Sequence, residues 1–139
     1  MRKVLFACVG NSFRSQIAEG FGRAYAGPGT VEVRSGGTNP SGIVHPAAIR
    51  LMREKGIDIA GQHSKLLDLE FAAKADAFVT LCGPLDDQCP RPLAQRVVDW
   101  SMEDPVGASE DEQRRVRDAI EAKVVHLYSQ WGVLARSSI

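Results

Sequence analysis

A cysteine and an arginine in the pattern C-x5-R-S lie between a predicted strand and a predicted helix near the start of the chain. The segment from Cys8 to Arg14 is long enough to curl round a tetrahedral oxyanion with its backbone N–H groups pointing inward. The following helix adds free N–H groups and the positive end of its dipole. Arg14 can bind two oxygens with its planar guanidinium, and the positive surroundings favour the Cys8 thiolate, the reactive form of cysteine. The pattern predicts a nucleophilic cysteine in an oxyanion-binding loop.

The other residues of this loop have supporting roles that follow from their side chains. Gly10 permits backbone conformations closed to other residues. We expect Asn11 to hold the shape of the loop through its amide, and Ser15 to donate a hydrogen bond to the thiolate. The whole segment is predicted to bind substrate: Val9, Gly10, Asn11, Ser12, Phe13, Arg14 and Ser15. A buried structural cysteine is the alternative, but the strand, helix, glycine and serine occurring together favour the loop.

Strand-like and helix-like segments alternate along the chain and must position this loop. Strands are predicted at residues 3–8, 30–35, 77–81 and 96–100, and helices from about 13, from 45, over 66–75 and from 109. Gly36 and Gly37 are predicted to end the second strand, and Gly56 to cap the second helix. The last helix begins with the capping-box pair Ser109 and Glu112, and its predicted apolar face comprises Val116, Ile120, Val124, Leu127, Tyr128 and Trp131. This alternation predicts one α/β domain over residues 1–139, with a four-stranded parallel sheet and helices on both faces.

Two further cysteines follow the third predicted strand. Cys82 lies at the carboxyl end of that strand, where functional groups of parallel sheets gather, so its thiol is expected near Cys8. Cys89 follows seven residues later. Seven helical steps would separate their Cα atoms by about 10 Å, whereas a disulfide requires roughly 4.4–6.8 Å. If the segment is helical when reduced, it must unwind to form a Cys82–Cys89 bond, which predicts a redox switch; two buried cysteines without a relay are the alternative.

A carboxylic acid is expected beside the loop. Asp104 precedes Pro105, which favours an extended backbone at the aspartate, and a carboxyl projecting over the loop could protonate a leaving oxygen. The residues alone leave rival carboxyls open: Asp86, Asp87, Asp99 and Glu103.

Composition excludes several classes of function. The formal net charge is zero, which argues against a nucleic-acid-binding protein. No apolar run is long enough to cross a bilayer, and polar residues soon interrupt the apolar start, so we expect a cytoplasmic protein. The chain has three cysteines but no CxxC pair, and its histidines fit no ligand set, so no metal site is predicted.

Several stretches resemble a known family. Residues 4–21 resemble the opening of the low-molecular-weight protein tyrosine phosphatases, and still more that of the thioredoxin-coupled arsenate reductases built on that fold. Further matches are Thr80-Leu81-Cys82, Cys89-Pro90, and the stretch from Asp99-Trp100 to Asp104-Pro105. The resemblance covers nearly the whole chain.

The resemblance implies reduction of arsenate to arsenite. Cys8 would attack arsenate, Asp104 would protonate the departing oxygen, and oxidation would pass to a Cys8–Cys82 and then a Cys82–Cys89 disulfide. Thioredoxin would be the electron donor, with no bound cofactor. Phosphate and sulfate would compete with arsenate, and we expect a monomer.

Two residues depart from the family pattern. Phe13 stands where many relatives have another cysteine, which takes no part in the relay. Lys65 stands where some relatives have an aspartate that helps hold potassium, alongside positions matching Asn11, Glu19 and Ser35. A lysine ammonium can take the place of that cation, so we predict no potassium dependence; a solvated surface lysine is an equal alternative.

Two other functions fit the same residues. Cys8, Arg14 and Asp104 suffice for a phosphatase acting through a phosphocysteine. That function leaves Cys82 and Cys89 unused, and Val106-Gly107 follows Pro105 where the tyrosine phosphatases have an aromatic pair. The other alternative is a non-catalytic oxyanion sensor that signals through the two later cysteines.

Overall fold

A parallel sheet forms the centre of the protein, which a computed structural model describes at residues 1–82 and 97–135. Over those residues the strands are β1 (Arg2–Cys8), β2 (Val31–Gly37), β3 (Ala77–Thr80) and β4 (Val97–Asp99), and the helices are α1 (Arg14–Tyr25), α2 (Pro46–Arg53), α3 (Leu69–Lys74) and α4 (Glu110–Trp131). The strand order is β2-β1-β3-β4, and every pairing is parallel. The predicted four-stranded parallel sheet is confirmed.

Apolar side chains cover both faces of the sheet. On one face Val4 and Phe6 of β1 join a large cluster with residues of α1, α2 and α4. On the other face Leu5 and Ala7 join a smaller cluster with Phe71 of α3. Because successive residues of a strand point to opposite faces, the continuous apolar run of β1 is buried on both sides. The prediction of helices on both faces is confirmed, and β1 lies at the centre with its carboxyl end free to carry the loop.

The two glycines predicted to end the second strand lie inside it. β2 continues through Gly36 to Gly37, which pairs with Cys8. A Cβ at Gly36 would lie 2.7 Å from Leu67 Cα, and Leu67 N donates to Gly37 O at 3.0 Å. The glycines permit the close approach of the 65–67 segment rather than a turn. That pairing also explains why the predicted helix at 66–75 begins later, at Leu69.

The helix ends agree with both predicted caps. The Ser109 hydroxyl accepts a hydrogen bond from Glu112 N at 3.2 Å, as the predicted cap requires. α2 ends at Arg53 with Glu54 as its C-cap, and Gly56 closes the turn that follows as the predicted capping glycine. Gly56 N donates to Arg53 O at 2.9 Å and Ile57 N donates to Met52 O at 3.0 Å, the two hydrogen bonds of a Schellman motif. Gly56 has φ +75, a left-handed conformation that glycine adopts readily.

The buried stripe of α4 is more polar than predicted. Ile120, Val124 and Tyr128 are buried, but so are Arg117 and Glu121. The guanidinium of Arg117 donates to Leu51 O at 3.1 Å and to the Glu54 carboxylate at 2.6 Å, while the Glu121 carboxylate contacts Tyr25 and Lys55. Buried charges that are paired in this way are tolerated in a core, so α4 turns a partly polar face towards α1 and α2.

An ion-pair cluster holds the end of α2 against α4. Hydrogen bonds from Arg114, and to a smaller extent from Arg117, lower the pKa of the Glu54 carboxyl from 4.5 to about 2.

Within residues 1–82 and 97–135, every helix is too short or too polar to cross a membrane.

Candidate functional site

The loop between β1 and α1 forms the base of the site. β1 ends at Cys8 and α1 begins at Arg14. Sequence reasoning assigned the unusual backbone conformation to Gly10, but Asn11 has it, with φ +47. Asparagine tolerates the left-handed region better than most residues because its short side chain can hydrogen-bond locally. The left-handed backbone of Asn11 therefore reverses the chain direction within the loop.

The Cys8 sulfur lies inside this curl. It is a free thiol, 3% exposed. Asn11 N donates to Cys8 Sγ at 3.2 Å, and Ser15 Oγ lies 2.9 Å from the same sulfur. The main-chain N–H of Asn11, the Ser15 hydroxyl and the amino end of α1 therefore lie around one sulfur atom.

Asn11 is the centre of a buried hydrogen-bond network. Its Nδ2 donates to Ser15 Oγ at 2.8 Å and to Ser35 Oγ at 3.0 Å. Its Oδ1 accepts from Gln16 Nε2 at 3.1 Å and from Lys65 N at 2.9 Å. All four hydrogen-bonding positions of the amide are occupied. The loop is thereby fixed to α1, to β2 and to the 63–65 segment at once.

Gln16 is a positioning residue that no sequence pattern identifies. Its side chain is fully buried, and Nε2 donates to Asn11 O at 3.0 Å and to His63 O at 2.8 Å. Gln62 Nε2 donates in turn to Gln16 Oε1 at 2.9 Å. Two of its partners, Gln62 and His63, are nearly fifty residues away in sequence, so no local pattern marks it.

Arg14 and Asp104 enter the same pocket from different elements. A cavity of about 220 Å³ is lined by Cys8, Val9, Gly10, Asn11, Ser12, Phe13, Arg14, Asp104 and Val106. Arg14 is 6% exposed, and its Nη1 donates to Met102 O at 2.8 Å. Asp104 is exposed, and its Oδ1 accepts from Val106 N at 3.0 Å. The structure thus brings together the predicted nucleophile, arginine and acid; of the rival carboxyls, Asp99 and Glu103 are not in the lining.

Cys82 lies at the same edge of the sheet. It follows β3, which pairs with β1, and Leu81 N donates to Ala7 O at 2.9 Å. Cys82 is 3% exposed and disulfide-bonded. Cys89, Asp86 and Asp87 lie outside the described residues, and so does the predicted unwinding of their segment.

The ammonium of Lys65 lies among polar groups, two of which, Glu19 and Ser35, the family resemblance implies for a cation site. Nζ donates to Ser35 Oγ at 2.9 Å, to His63 O at 3.0 Å and to Glu19 Oε1 at 3.2 Å. The Glu19 side chain is only 4% exposed and also pairs with Arg23. The described part of the chain holds no cluster of three or more metal-binding side chains.

Comparisons with known proteins agree with this geometry. The model of the family described as low molecular weight phosphotyrosine protein phosphatase matches residues 3–133. An arsenate reductase of Brevibacillus brevis is 43% identical over 124 residues, which cover 88% of this chain and 91% of the relative.

Two solved structures have the same fold. The structure of an arsenate reductase in the phosphate-binding state has 37% identity and a TM-score of 0.76, covering 94% of this chain and 98% of that one. A thioredoxin-dependent arsenate reductase of Corynebacterium glutamicum has 30% identity and a TM-score of 0.75, covering 94% of this chain and 61% of that one. The chain belongs to the low-molecular-weight phosphotyrosine protein phosphatase family and is similar, within it, to arsenate reductases.

Proposed function

We propose that this protein reduces arsenate to arsenite. The observation that carries the proposal is the pocket that Cys8, Arg14 and Asp104 line together, with Cys82 at the carboxyl end of the neighbouring strand. A tetrahedral oxyanion fits such a loop. Similarity to arsenate reductases supports arsenate as that oxyanion.

The first step uses the loop alone. The Cys8 thiolate attacks arsenic while Arg14 and the loop amides hold the oxygens. A sulfur–arsenic bond forms and an arsenic–oxygen bond breaks, and the departing oxygen takes a proton from Asp104 and leaves as water. Ser15, which lies beside the sulfur, stabilises the thiolate before the attack.

The second step reduces arsenic. The Cys82 thiolate attacks the Cys8 sulfur, so a disulfide forms and the sulfur–arsenic bond breaks. Its electron pair passes to arsenic, which leaves as arsenite. Cys89 then attacks Cys82, which frees Cys8, and thioredoxin reduces the Cys82–Cys89 bond by exchange. The thioredoxin-dependent relative supports this reductant, and such thiol chemistry fits a reducing compartment such as the cytoplasm.

A coupled assay tests the proposal. Reduced protein is mixed with arsenate, thioredoxin, thioredoxin reductase and NADPH, and absorbance follows NADPH oxidation. We expect arsenate-dependent oxidation with the natural chain, and a single turnover at most with Cys82→Ser or Cys89→Ser. Absence of arsenate-dependent oxidation by the natural chain would refute arsenate reduction. Arsenite release in one turnover would exclude a purely sensing role.

Phosphomonoester hydrolysis is a second candidate, because Cys8, Arg14 and Asp104 line the pocket that a phosphatase of this family would use. Val106, which is 50% exposed, lines that pocket directly after Asp104-Pro105, where the tyrosine phosphatases that this chain resembles have an aromatic pair. We expect only weak hydrolysis of aryl phosphates, through a phosphocysteine.

We also propose that the Lys65 ammonium serves in place of a potassium ion. The ammonium already neutralises Glu19 and is linked through Ser35 and Asn11 to the residues around Cys8. Arsenate turnover should therefore be the same in potassium and sodium chloride at equal ionic strength. A selective increase with potassium contradicts the proposal.

A variant extends that experiment. Lys65→Ala removes the ammonium and should raise the KM for arsenate and make turnover sensitive to potassium. Lys74→Ala is the matched control, because the Lys74 side chain is 63% exposed and pairs only weakly with the exposed Glu70. Steady-state kinetics in the two salts provide the measurement.

A further inference from the structure

A buried hydroxyl at the carboxyl end of β3 has no hydrogen bond to any of the residues 1–82 and 97–135. Thr80 is 1% exposed, and its Oγ1 has no partner in the part of the chain that the structure describes. Of its register partners, Ala7 in β1 has no polar side chain, and the exposed Asp99 in β4 accepts from Ser101 Oγ at 2.7 Å and not from Thr80. The Thr80 carbonyl oxygen accepts a hydrogen bond from Trp100 N at 2.8 Å, so the unsatisfied group is the side-chain hydroxyl.

Such a hydroxyl destabilises the state in which it is observed. A buried polar group without a partner costs about 1–3 kcal/mol, and buried groups of this kind are rare in native proteins. A valine would fill nearly the same space without that cost. The hydroxyl therefore needs a partner that is present in another state of the protein.

Cys82 is the neighbour that changes between states. It lies two residues beyond Thr80, and the pairing with β1 continues through Leu81 N, so the side chains of 80 and 82 share a face of the sheet. Both are almost fully buried. Cys82 is disulfide-bonded in the structure, and a disulfide sulfur carries no charge, whereas a thiolate is a strong acceptor that forms short, charge-assisted hydrogen bonds. We propose that the Thr80 hydroxyl donates a hydrogen bond to the Cys82 thiolate in the reduced protein and loses that partner when Cys82 is oxidised.

This contact would act on Cys82, the second nucleophile of the relay. The inference rests on that relay as set out in the proposed function. The hydroxyl keeps its proton throughout; it stabilises the thiolate that attacks Cys8 and is released when the sulfur–sulfur bond forms. Because the hydroxyl is left without a partner in the oxidised form, it also favours return to the reduced form. Thr80 would promote reduction of arsenic without contacting arsenate.

The test measures Cys82 directly and requires no arsenate. In a Cys8→Ser/Cys89→Ser background, Cys82 is the single thiol, and its rate of alkylation by iodoacetamide is measured against pH. Thr80→Val should shift the alkylation midpoint upward by about one pH unit, the size expected for a lost hydrogen bond to a charged group. Thr80→Ser keeps the hydroxyl and should restore the original midpoint. An unchanged midpoint in Thr80→Val overturns the inference, whether or not the protein reduces arsenate.

Two measurements on the chain with all three cysteines complete the test. Thr80→Val should raise the melting temperature of the oxidised protein and lower kcat for arsenate, with the KM unchanged. Thr30→Val is the matched control, because the Thr30 hydroxyl donates to Gly27 O at the opposite end of the sheet. In the Cys8→Ser/Cys89→Ser background it should leave the alkylation midpoint of Cys82 unchanged. A lower melting temperature for oxidised Thr80→Val also contradicts the inference, because it would mean that the hydroxyl has a partner in that state.

Discussion

Replacement of Cys8 by serine should abolish arsenate reduction and leave oxyanion binding largely intact. A serine hydroxyl is not ionised near neutral pH and cannot form a disulfide, so neither the adduct nor the Cys8–Cys82 bond can form. We expect turnover to fall by at least about 10⁴-fold, as when other covalent catalysts lose their nucleophile. The coupled assay with thioredoxin and NADPH measures the loss.

Phosphate binding separates this loss from misfolding. The Arg14 guanidinium and the loop amides remain in Cys8→Ser, and Ser15 and Asn11 N–H can still donate to the new oxygen. Isothermal titration with inorganic phosphate should give an affinity within a few-fold of the natural chain. Arsenate turnover by Cys8→Ser above about 1% of the natural rate would mean that another group attacks arsenic. Cys8 would then not be the nucleophile of the oxyanion-binding loop.

The second substitution for which we expect a large loss of activity is Gly37→Ala, at a position far from Cys8 in the sequence. A Cβ at this position would lie 2.3 Å from Val9 O and 3.1 Å from Asn11 N. Real Cβ atoms do not approach a backbone oxygen so closely, so Gly37→Ala must displace either β2 or the oxyanion loop. A displacement of about 1 Å in such a loop is expected to lower kcat/KM by roughly 100-fold. Overpacking should also cost about 1–3 kcal/mol of folding free energy.

Gly61→Ala is the matched control for this substitution. A Cβ there meets nothing within 4 Å, and the 59–65 segment that carries Gly61 also borders the loop. Arsenate kinetics and urea unfolding of both variants give the measurement, with Gly61→Ala expected to behave as the natural chain. Normal kcat/KM in Gly37→Ala would show that the loop tolerates movement, contrary to the fixed network around Asn11.

The part of the site that could be predicted is the part that is local in sequence. Cys8, Arg14 and Ser15 lie within eight residues between a strand and a helix, and the apolar run of β1 predicts a buried central strand. The contacts that complete the site are long-range. Gln16 meets His63, and Arg14 meets Met102, across 47 and 88 residues, and no periodicity encodes such pairs.

The glycines show why one local rule failed. Gly36 and Gly37 have the composition of a turn, but their missing side chains make room for the 65–67 segment and for the oxyanion loop. Sequence alone does not distinguish a glycine that is needed for an unusual backbone conformation from one that is needed because another segment packs closely against it. The same limit applies to Asn11, whose left-handed backbone was assigned to the adjacent glycine.

The bond from Arg14 to the Met102 carbonyl has a consequence for the thermodynamics of anion capture. An arginine side chain loses about 2 kcal/mol of rotamer entropy when it is immobilised, and here a buried peptide oxygen has already imposed that order. Binding energy from the incoming anion is then available for desolvation rather than for ordering the guanidinium. Because the acceptor belongs to the main chain, substitutions of the residue 102 side chain should preserve this preorganisation, whereas insertions next to it should not.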